Sequence, residues 1–570
     1  MKSTSLTFLA LIGLLVSGCQ SKSPADVTPP SARSASPSAA APVASAAPAS
    51  LPSAAGAVGR KDRDPRVFHR SLGEPEFLDP GLCSESEGGT VIHDTFEGLF
   101  IYGATQERVE PGVAESVEVS PDGKTYTFKL RAGMKWSDGT PLGAKDFEWS
   151  WKRVLDPKTG SRYTDIMAPI EGAMAYARSD EKADRAALRE QVGVKAKDDL
   201  TLEVKLVGPT PYFKALTAFY TYAPVPRHVV EKLGDQWTRP ENVVSNGPWK
   251  LSEWKSKQHI IATKNENYVG KDTLPFDKVV YHIAENNEPL HNMYLAGEVD
   301  FLDSRVPESD LPRYIKEKNP DLRKNPYLGS YYYMFNTKKA PFDDVRVRRA
   351  LNHAIDKAQI GEFVIKGGQV AATQIVPPDL KAFGYQPPSG PDFDPDAARK
   401  LLAEAGFPDG KGFPRFQITY NTLEGHKLIA EFVQQQWKKN LGIDCDLANM
   451  EWKVLLKKQQ EHDFEVTRSS WIGDFLDPLT FLDLWEGKNP NNRTQWDNPK
   501  FNALIGQSRL DGDAARRLGV LREAEQLFLD EMPALPLYFY VKYDMVKPWL
   551  DGYSEHLQGV HLAKYFKIRM

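Results

Sequence analysis

Cysteine is nearly absent from this chain: three in 570 residues, at positions 19, 83 and 445. That excludes a disulfide-stapled fold, and no two of them stand at metal-ligand spacing. An excess of either charge is also lacking. Lysine and arginine number 72 against 76 aspartates and glutamates, a formal net charge of −4, which argues against a generally basic surface for nucleic acid. Long apolar runs are missing too; the one from Leu6 to Val16 is too short to span a bilayer. No His-Glu-x-x-His zinc helix, Gly-x-Ser-x-Gly elbow or Gly-x-x-x-x-Gly-Lys-[Ser/Thr] phosphate loop occurs, so neither an enzyme nor a cofactor is expected.

What is present begins with an export signature. Residues 1–18 carry Lys2, the apolar core and the small residues Ser17 and Gly18, which read as a signal peptide. Leu15-Val16-Ser17-Gly18-Cys19 resembles the bacterial lipobox, in which the cysteine is acylated and becomes the mature N-terminus; the other reading is a cysteine buried in the signal core. Acylated Cys19 would hold the protein on a membrane without spanning it. The stretch 19–64 follows as a linker. From Gln20 to Gly59 it is Pro, Ala and Ser without one aromatic residue, so nothing offsets the entropy of ordering it. As a coil it reaches at least about 35 Å.

Globular texture starts near Asp64. Ser116–Ser120, Pro121-Asp122-Gly123 and Thr125–Leu130 predict strand, turn and alternating strand. Leu202–Leu206 and Ile418–Tyr420 are further strands. A helix is predicted from the Asp394 cap and Pro395 to Gly406, with Leu401, Leu402 and Ala405 on one face. Another runs from Glu424 to Asn440 with Leu428, Phe432 and Trp437 on its apolar stripe. Interleaved strands and helices define an α/β protein of more than one lobe. Cys83 and Cys445 are expected to be unpaired thiols.

The run Phe464–Phe475 alternates like a strand and ends with Asp474. Two readings stay open for that carboxylate. In a closed cleft it would need a cation, which a ligand ammonium supplies; alternatively it caps a loop or pairs with a lysine.

Several segments resemble the family 5 bacterial extracellular solute-binding proteins, in particular the oligopeptide-binding members. They are Asp94-Thr95-Phe96-Glu97-Gly98-Leu99, Pro111-Gly112-Val113-Ala114-Glu115-Ser116, Lys135-Trp136-Ser137-Asp138-Gly139-Thr140-Pro141 and Asp344-Val345-Arg346-Val347-Arg348, joined by Tyr331-Tyr332-Tyr333, Leu401–Gly406 and Val546-Lys547-Pro548-Trp549. The resemblance runs in order over nearly everything after Asp64. It implies an α/β, two-lobed, hinged periplasmic-binding-protein fold of the class II type, with an additional subdomain inserted in the first lobe. Lobe I is expected at 65–96, 223–328 and 542–570, the insertion at 97–222 and lobe II at 329–541.

By the same resemblance the site would bind short peptides, without cofactor or metal. Asp474 would hold the peptide ammonium, the strand Ser470, Trp471 and Ile472 would pair with its backbone, and Gly473 would also belong to the site. Arg468 and His426 would meet its carboxylate, while Trp452 and Trp471 wall side-chain pockets. Asn421, Ser84, Ser86, Tyr163, Asn292 and Tyr327 complete the implied site. Two matches are displaced by one residue, Glu85 for an acid and Lys366 for a cation. Gly329 and Ile472 stand where the archetype has paired cysteines. The implied partner is an integral-membrane ABC permease, served by a monomer on the periplasmic or outer side of a bacterial membrane. A peptide-sensing receptor, or a carrier of murein peptides, metal complexes, haem or sugars, would share the fold. A peptidase using Asp474 and His426 is disfavoured by the missing motifs.

Overall fold

The computed structural model describes residues 64–105 and 109–569; the predicted signal, lipobox and most of the linker lie outside them. Strand β1 (Val67–Leu72) comes first, followed by helix α1 (Ser86–Thr95), whose N-cap is Glu85. The predicted hairpin is present as β2 (Ala114–Val119) and β3 (Thr125–Leu130), paired antiparallel. Gly123 takes the left-handed φ of 70° that the turn requires. The alternation of Thr-Tyr-Thr-Phe-Lys-Leu buries Tyr126, Phe128 and Leu130. With β4 (Val194–Asp198) and β5 (Thr201–Lys205) this hairpin forms a separate four-stranded sheet in the order β2-β3-β5-β4.

The chain then builds a large mixed sheet. Its members are β6 (Trp249–Lys255), β7 (His259–Lys264), β8 (Lys278–Ile283), β9 (Phe301–Leu302), β10 (Leu322–Phe335), β11 (Phe416–Asn421), β12 (Cys445–Met450), β13 (Val466–Ile472) and β14 (Ala534–Val546), together with β1. The order is β12-β11-β13-β10-β14-β9-β1-β8-β7-β6, with the short strand Val370–Ala371 added beside β14 to make eleven strands. Helices α2 (Asn287–Leu295), α3 (Pro395–Glu404), α4 (Glu424–Leu441) and α5 (Trp452–Gln460) are the ones that bear on the site. At the start of α3, Asp394 accepts from the Asp396 and Ala397 N–H groups and Pro395 occupies the first position, as the sequence predicts.

Two long strands, β10 and β14, run through the middle of this sheet and belong to both lobes. Their antiparallel ladder is interrupted: Pro326 pairs Val541 and Ser330 pairs Phe539, so β10 carries surplus residues at Tyr327, Leu328 and Gly329. One side of this break has a core around Phe68, Trp249, Phe276 and Phe301; on the other, Phe342, Ile418, Val433 and Trp437 pack together. The architecture is two α/β lobes joined by shared strands, as expected.

One packing expectation shifts. In α4 the buried residues are His426, Ile429, Ala430, Val433, Trp437 and Leu441, while Leu428 and Phe432 are only half-buried. The stripe is rotated from the predicted one and includes a histidine that faces the cavity. Cys83 and Cys445 are both buried free thiols.

Candidate functional site

Between the lobes lies a cavity of about 470 Å³, lined by the ends of β1 and β11, by β13 and the middle of β14, by the starts of α1 and α4, by one face of α5, and by the segment Gln558–Leu562. Strand β13 is its spine. Along one edge β13 pairs with β10 from Val466 to Ile472, whereas along the other it meets β11 only at Val466 and Thr467. From Arg468 onward, that second edge has no strand beside it among the described residues. Backbone directions follow from alternation. Gly473 N–H donates to the Leu328 carbonyl on the β10 side, and Gln459 Nε2 donates to the Arg468 carbonyl on the other at 2.8 Å. The polar backbone groups of Ser470 and Ile472 therefore face the open edge.

Asp474 stands at one end of that edge. Its backbone is fixed by Thr480 Oγ1, which accepts its N–H at 2.9 Å, and by Gln558 Nε2, which donates to its carbonyl at 2.7 Å. The carboxylate itself accepts only the Tyr163 hydroxyl, at 3.2 Å, and no cation pairs with it among the described residues. Burial, with Asp483 nearby, pushes its pKa well above the usual carboxylate value, against the pull of the Tyr163 bond. Neither a backbone cap nor a lysine partner occupies it.

Arg468 stands at the other end, with the opposite charge and the same lack of compensation. Its guanidinium donates to Asn421 Oδ1 (3.2 Å), Ser470 Oγ (3.3 Å) and Tyr540 Oη (3.2 Å), and lies 5.1 Å from the centre of the Tyr331 ring. These partners are neutral, and Nε has none among the described residues. His426 shares a 3.3 Å bond with Tyr331 Oη; burial and the proximity of Arg468 and Arg305 hold it neutral, so it offers a polar ring and no charge.

Trp452, Trp471, Tyr163, Asn421, Tyr327, Ser84 and Ser86 also line the cavity. The indole N–H groups of Trp452 and Trp471 and the Ser84 hydroxyl are buried without a partner among the described residues. Glu85 reaches the wall with its oxygens engaged: they accept the Gly88 N–H at 3.0 and 2.8 Å and the Glu76 N–H at 3.1 Å. Its work is to cap α1.

Two expected residues are not brought to the cavity. Asn292 sits on the solvent face of α2, whose inward residues are Leu290, His291 and Tyr294. Lys366 follows the turn Ile360–Val364 with a φ of 58° and is exposed, while the neighbouring Ile365 reaches the cavity wall. Conversely, Gln459, Arg493, Glu308 and Gln558 line the cavity without having been singled out. Gln459 carried a signal, standing two helical turns from Trp452 on one face of α5; the others come from irregular segments with no period to read.

Several contacts cross from one side of the site to the other. Lys453 reaches Glu74 at 3.4 Å, and Tyr212 stacks on Phe475 at 4.8 Å. Arg178 bonds Asp165 at 2.5 Å and Glu486 at 3.2 Å, and Glu486 is also held by Arg509 at 2.9 Å.

A closed cleft between two lobes joined by shared strands, lined by unpaired charges and unpartnered donors, is the site of a solute-binding receptor. Comparison with known proteins agrees. The model of the bacterial extracellular solute-binding proteins, family 5 middle, matches residues 108–493. The oligopeptide-binding protein OppA of Bacillus subtilis is 40% identical over 498 residues, covering 85% of this chain and 88% of its own. Haemophilus influenzae OppA in complex with the peptide RPPGFSPFR superposes with a TM-score of 0.83 at 30% identity, over 89% of this chain and 99% of that one. The murein tripeptide binding protein MppA of Escherichia coli, 33% identical, gives 0.83 in one structure, over 88% of this chain and 98% of its own, and 0.60 in its unliganded open form, over 88% and 97%. The chain belongs to the family 5 bacterial extracellular solute-binding proteins. Its lobes stand in an arrangement much nearer to the peptide complex than to the open form.

Proposed function

We propose that this protein is an extracytoplasmic receptor that captures short peptides in the cleft and hands them to an ABC-type importer in the membrane. The observation that carries the reading is the pair of uncompensated buried charges of opposite sign, Asp474 and Arg468, at the two ends of an open strand edge. An extended peptide has a cation at one end, an anion at the other and a row of backbone donors and acceptors between. It adds to the β13 edge as a further strand. Main-chain pairing is indifferent to sequence, so one site serves many peptides.

The register break in the β10–β14 ladder supports a hinge there, with lobe I at 65–96, 223–328 and 542–570, the insertion at 97–222 and lobe II at 329–541. Cys19, acylated, anchors the receptor, and the linker lets it stand off the membrane. Cys19→Ser then releases it into the soluble fraction; retention on washed membranes contradicts the anchor.

Native mass spectrometry of the purified protein, followed by calorimetry with the ligand found, tests the main reading. A mixture of short peptides is expected. A single non-peptide solute, with no heat from any free peptide, overturns it.

A further inference from the structure

The cavity holds a second guanidinium with which no carboxylate forms an ion pair among the described residues. Arg493 lines the wall, and its one side-chain bond is donated from Nη1 to Gln459 Oε1. Its Nε is buried without a partner, and no ion pair is formed with it among the described residues. Near it stands Arg162, which takes the carboxylate of Glu76 at 3.4 Å. Two guanidiniums thus have one acid between them, and Arg162 holds it. Burial, reinforced by Arg162, lowers the pKa of Arg493, the mark of a cation lacking compensation.

The surrounding wall is short of acceptors as well. Gln459 is locked: its Nε2 donates to Thr467 Oγ1 at 3.0 Å and to the Arg468 carbonyl at 2.8 Å, which leaves Oε1 turned to Arg493. Trp452, Leu456 and Gln459 fall at i, i+4 and i+7 of α5 and all reach the cavity. The indole N–H groups of Trp452 and of Trp471 have no partner among the described residues. Glu451 does not supply an acceptor here, because its carboxylate accepts the Val454 N–H and caps α5. The Trp471 and Ser469 side chains share one face of β13, and Tyr332, opposite Ser469 in the ladder, is within electrostatic reach of Arg493. The donor-rich wall therefore lies alongside the middle of the open edge, between the two charged ends.

We propose that this wall is an acid-selective side-chain subsite, in which Arg493 and the two indole N–H groups receive the carboxylate of an aspartate or glutamate within the bound peptide. The inference rests on the peptide-receptor reading. A carboxylate there neutralises a buried cation and accepts bonds that are otherwise unmade, which a neutral isostere does in part and a lysine not at all. Gln459 is a positioning residue, fixing the Arg493 fork.

The test is calorimetry on the full chain with Ala-Ala-Ala and with tripeptides carrying Glu, Gln or Lys at each position in turn. Glutamate is expected to bind at least about tenfold more tightly than glutamine at one position, with lysine weakest there. In Arg493→Gln the Glu-to-Gln ratio falls to within about threefold of unity, and in Arg493→Lys, which keeps the charge and loses the fork, it is intermediate. Equal affinity for Glu and Gln at all positions of the wild type, or an unchanged ratio in Arg493→Gln, overturns the subsite. Should Arg493→Gln fail to fold, the wild-type series and Arg493→Lys decide. Ala-Ala-Ala separates the two levels: if it binds and Glu gives no advantage, only the subsite falls, whereas if no peptide binds, the receptor reading falls with it.

Discussion

Asp474 and Arg468 stand at opposite ends of one exposed edge of β13, and each lacks a counter-ion among the described residues. A buried charge is costly until something pairs with it, so the two side chains make the closed cleft unfavourable when empty and favourable when a zwitterionic chain lies between them. The same relationship sets the first two expectations.

Asp474→Asn weakens binding of free-amine peptides by about 3–5 kcal/mol, the usual cost of breaking a buried charge pair. Crossed with N-acetylation of the same peptide in a calorimetric cycle, the two losses do not add. Without ligand the sign reverses. The Asp474 carboxyl has its pKa raised in the closed fold, so the folded chain binds a proton that the unfolded chain has released, and stability falls as pH rises from the ordinary carboxylate range. Asp474→Asn removes that loss and raises the melting temperature of the ligand-free protein more at pH 8 than at pH 5. Additive losses in the cycle place Asp474 outside the ammonium site.

Arg468→Met removes the cation at the other end. Peptides with a free carboxylate should lose about 3 kcal/mol or more, and C-terminally amidated ones far less. Because burial holds His426 neutral, it does not substitute for the lost charge, and lowering the pH from 8 to 6 should raise the affinity of the variant no more than that of the wild type. Equal losses for both peptide forms contradict the assignment.

Glu308 predicts a pH dependence of closure. It lines the cavity against Gly425, where an added Cβ would meet its Oε1 at 2.7 Å, and burial with Glu424 and Glu288 nearby pushes its pKa up to about 7. A solvated carboxyl in an open cleft titrates near its ordinary value, so the closed state binds a proton over the interval between. Closure gains from that proton below the ordinary carboxylate value and loses the gain as pH rises through about 7. Peptide affinity should rise by up to about tenfold from pH 8 to pH 6, and Glu308→Gln should flatten the profile. An unchanged slope in that variant removes Glu308 from closure.

Gly329 faces Ile472 across the β10–β13 ladder. A Cβ at 329 would lie 2.5 Å from Ile472 Cδ1 and 3.0 Å from Tyr540 Cδ2. Gly329→Ala should therefore destabilise by about 1–3 kcal/mol, and Ile472→Val, which trims the colliding methyl, should recover part of it. Chemical denaturation of the two single variants and the double variant measures the coupling; simple additivity contradicts the contact.

Much of this was legible in the residues. The hairpin at Gly123, the cap at Asp394 and strand β13 follow from turn chemistry and alternation, which are local, and the family's ordered segments carried the lobes. What escaped depends on three-dimensional company. Glu85 had the right type and place for a ligand acid, yet its oxygens go to backbone N–H groups that sequence does not display. Asn292 and Lys366 point outward because of helix phase and one left-handed residue. Arg493 lies in an irregular stretch beyond β13, and its significance is the absence of an acidic partner among the described residues, which no pattern of residues encodes.

The Arg178 junction has a consequence for how the receptor lets go. On the proposed division of the lobes, Asp165 and Arg178 lie in the inserted subdomain and Glu486 and Arg509 in lobe II, and the bridge from Arg178 to Glu486 joins the two couples. When the bodies part, each couple departs intact. No ion is abandoned in the gap, so this seam presents little electrostatic barrier to opening, and the reluctance to release rests with the cargo.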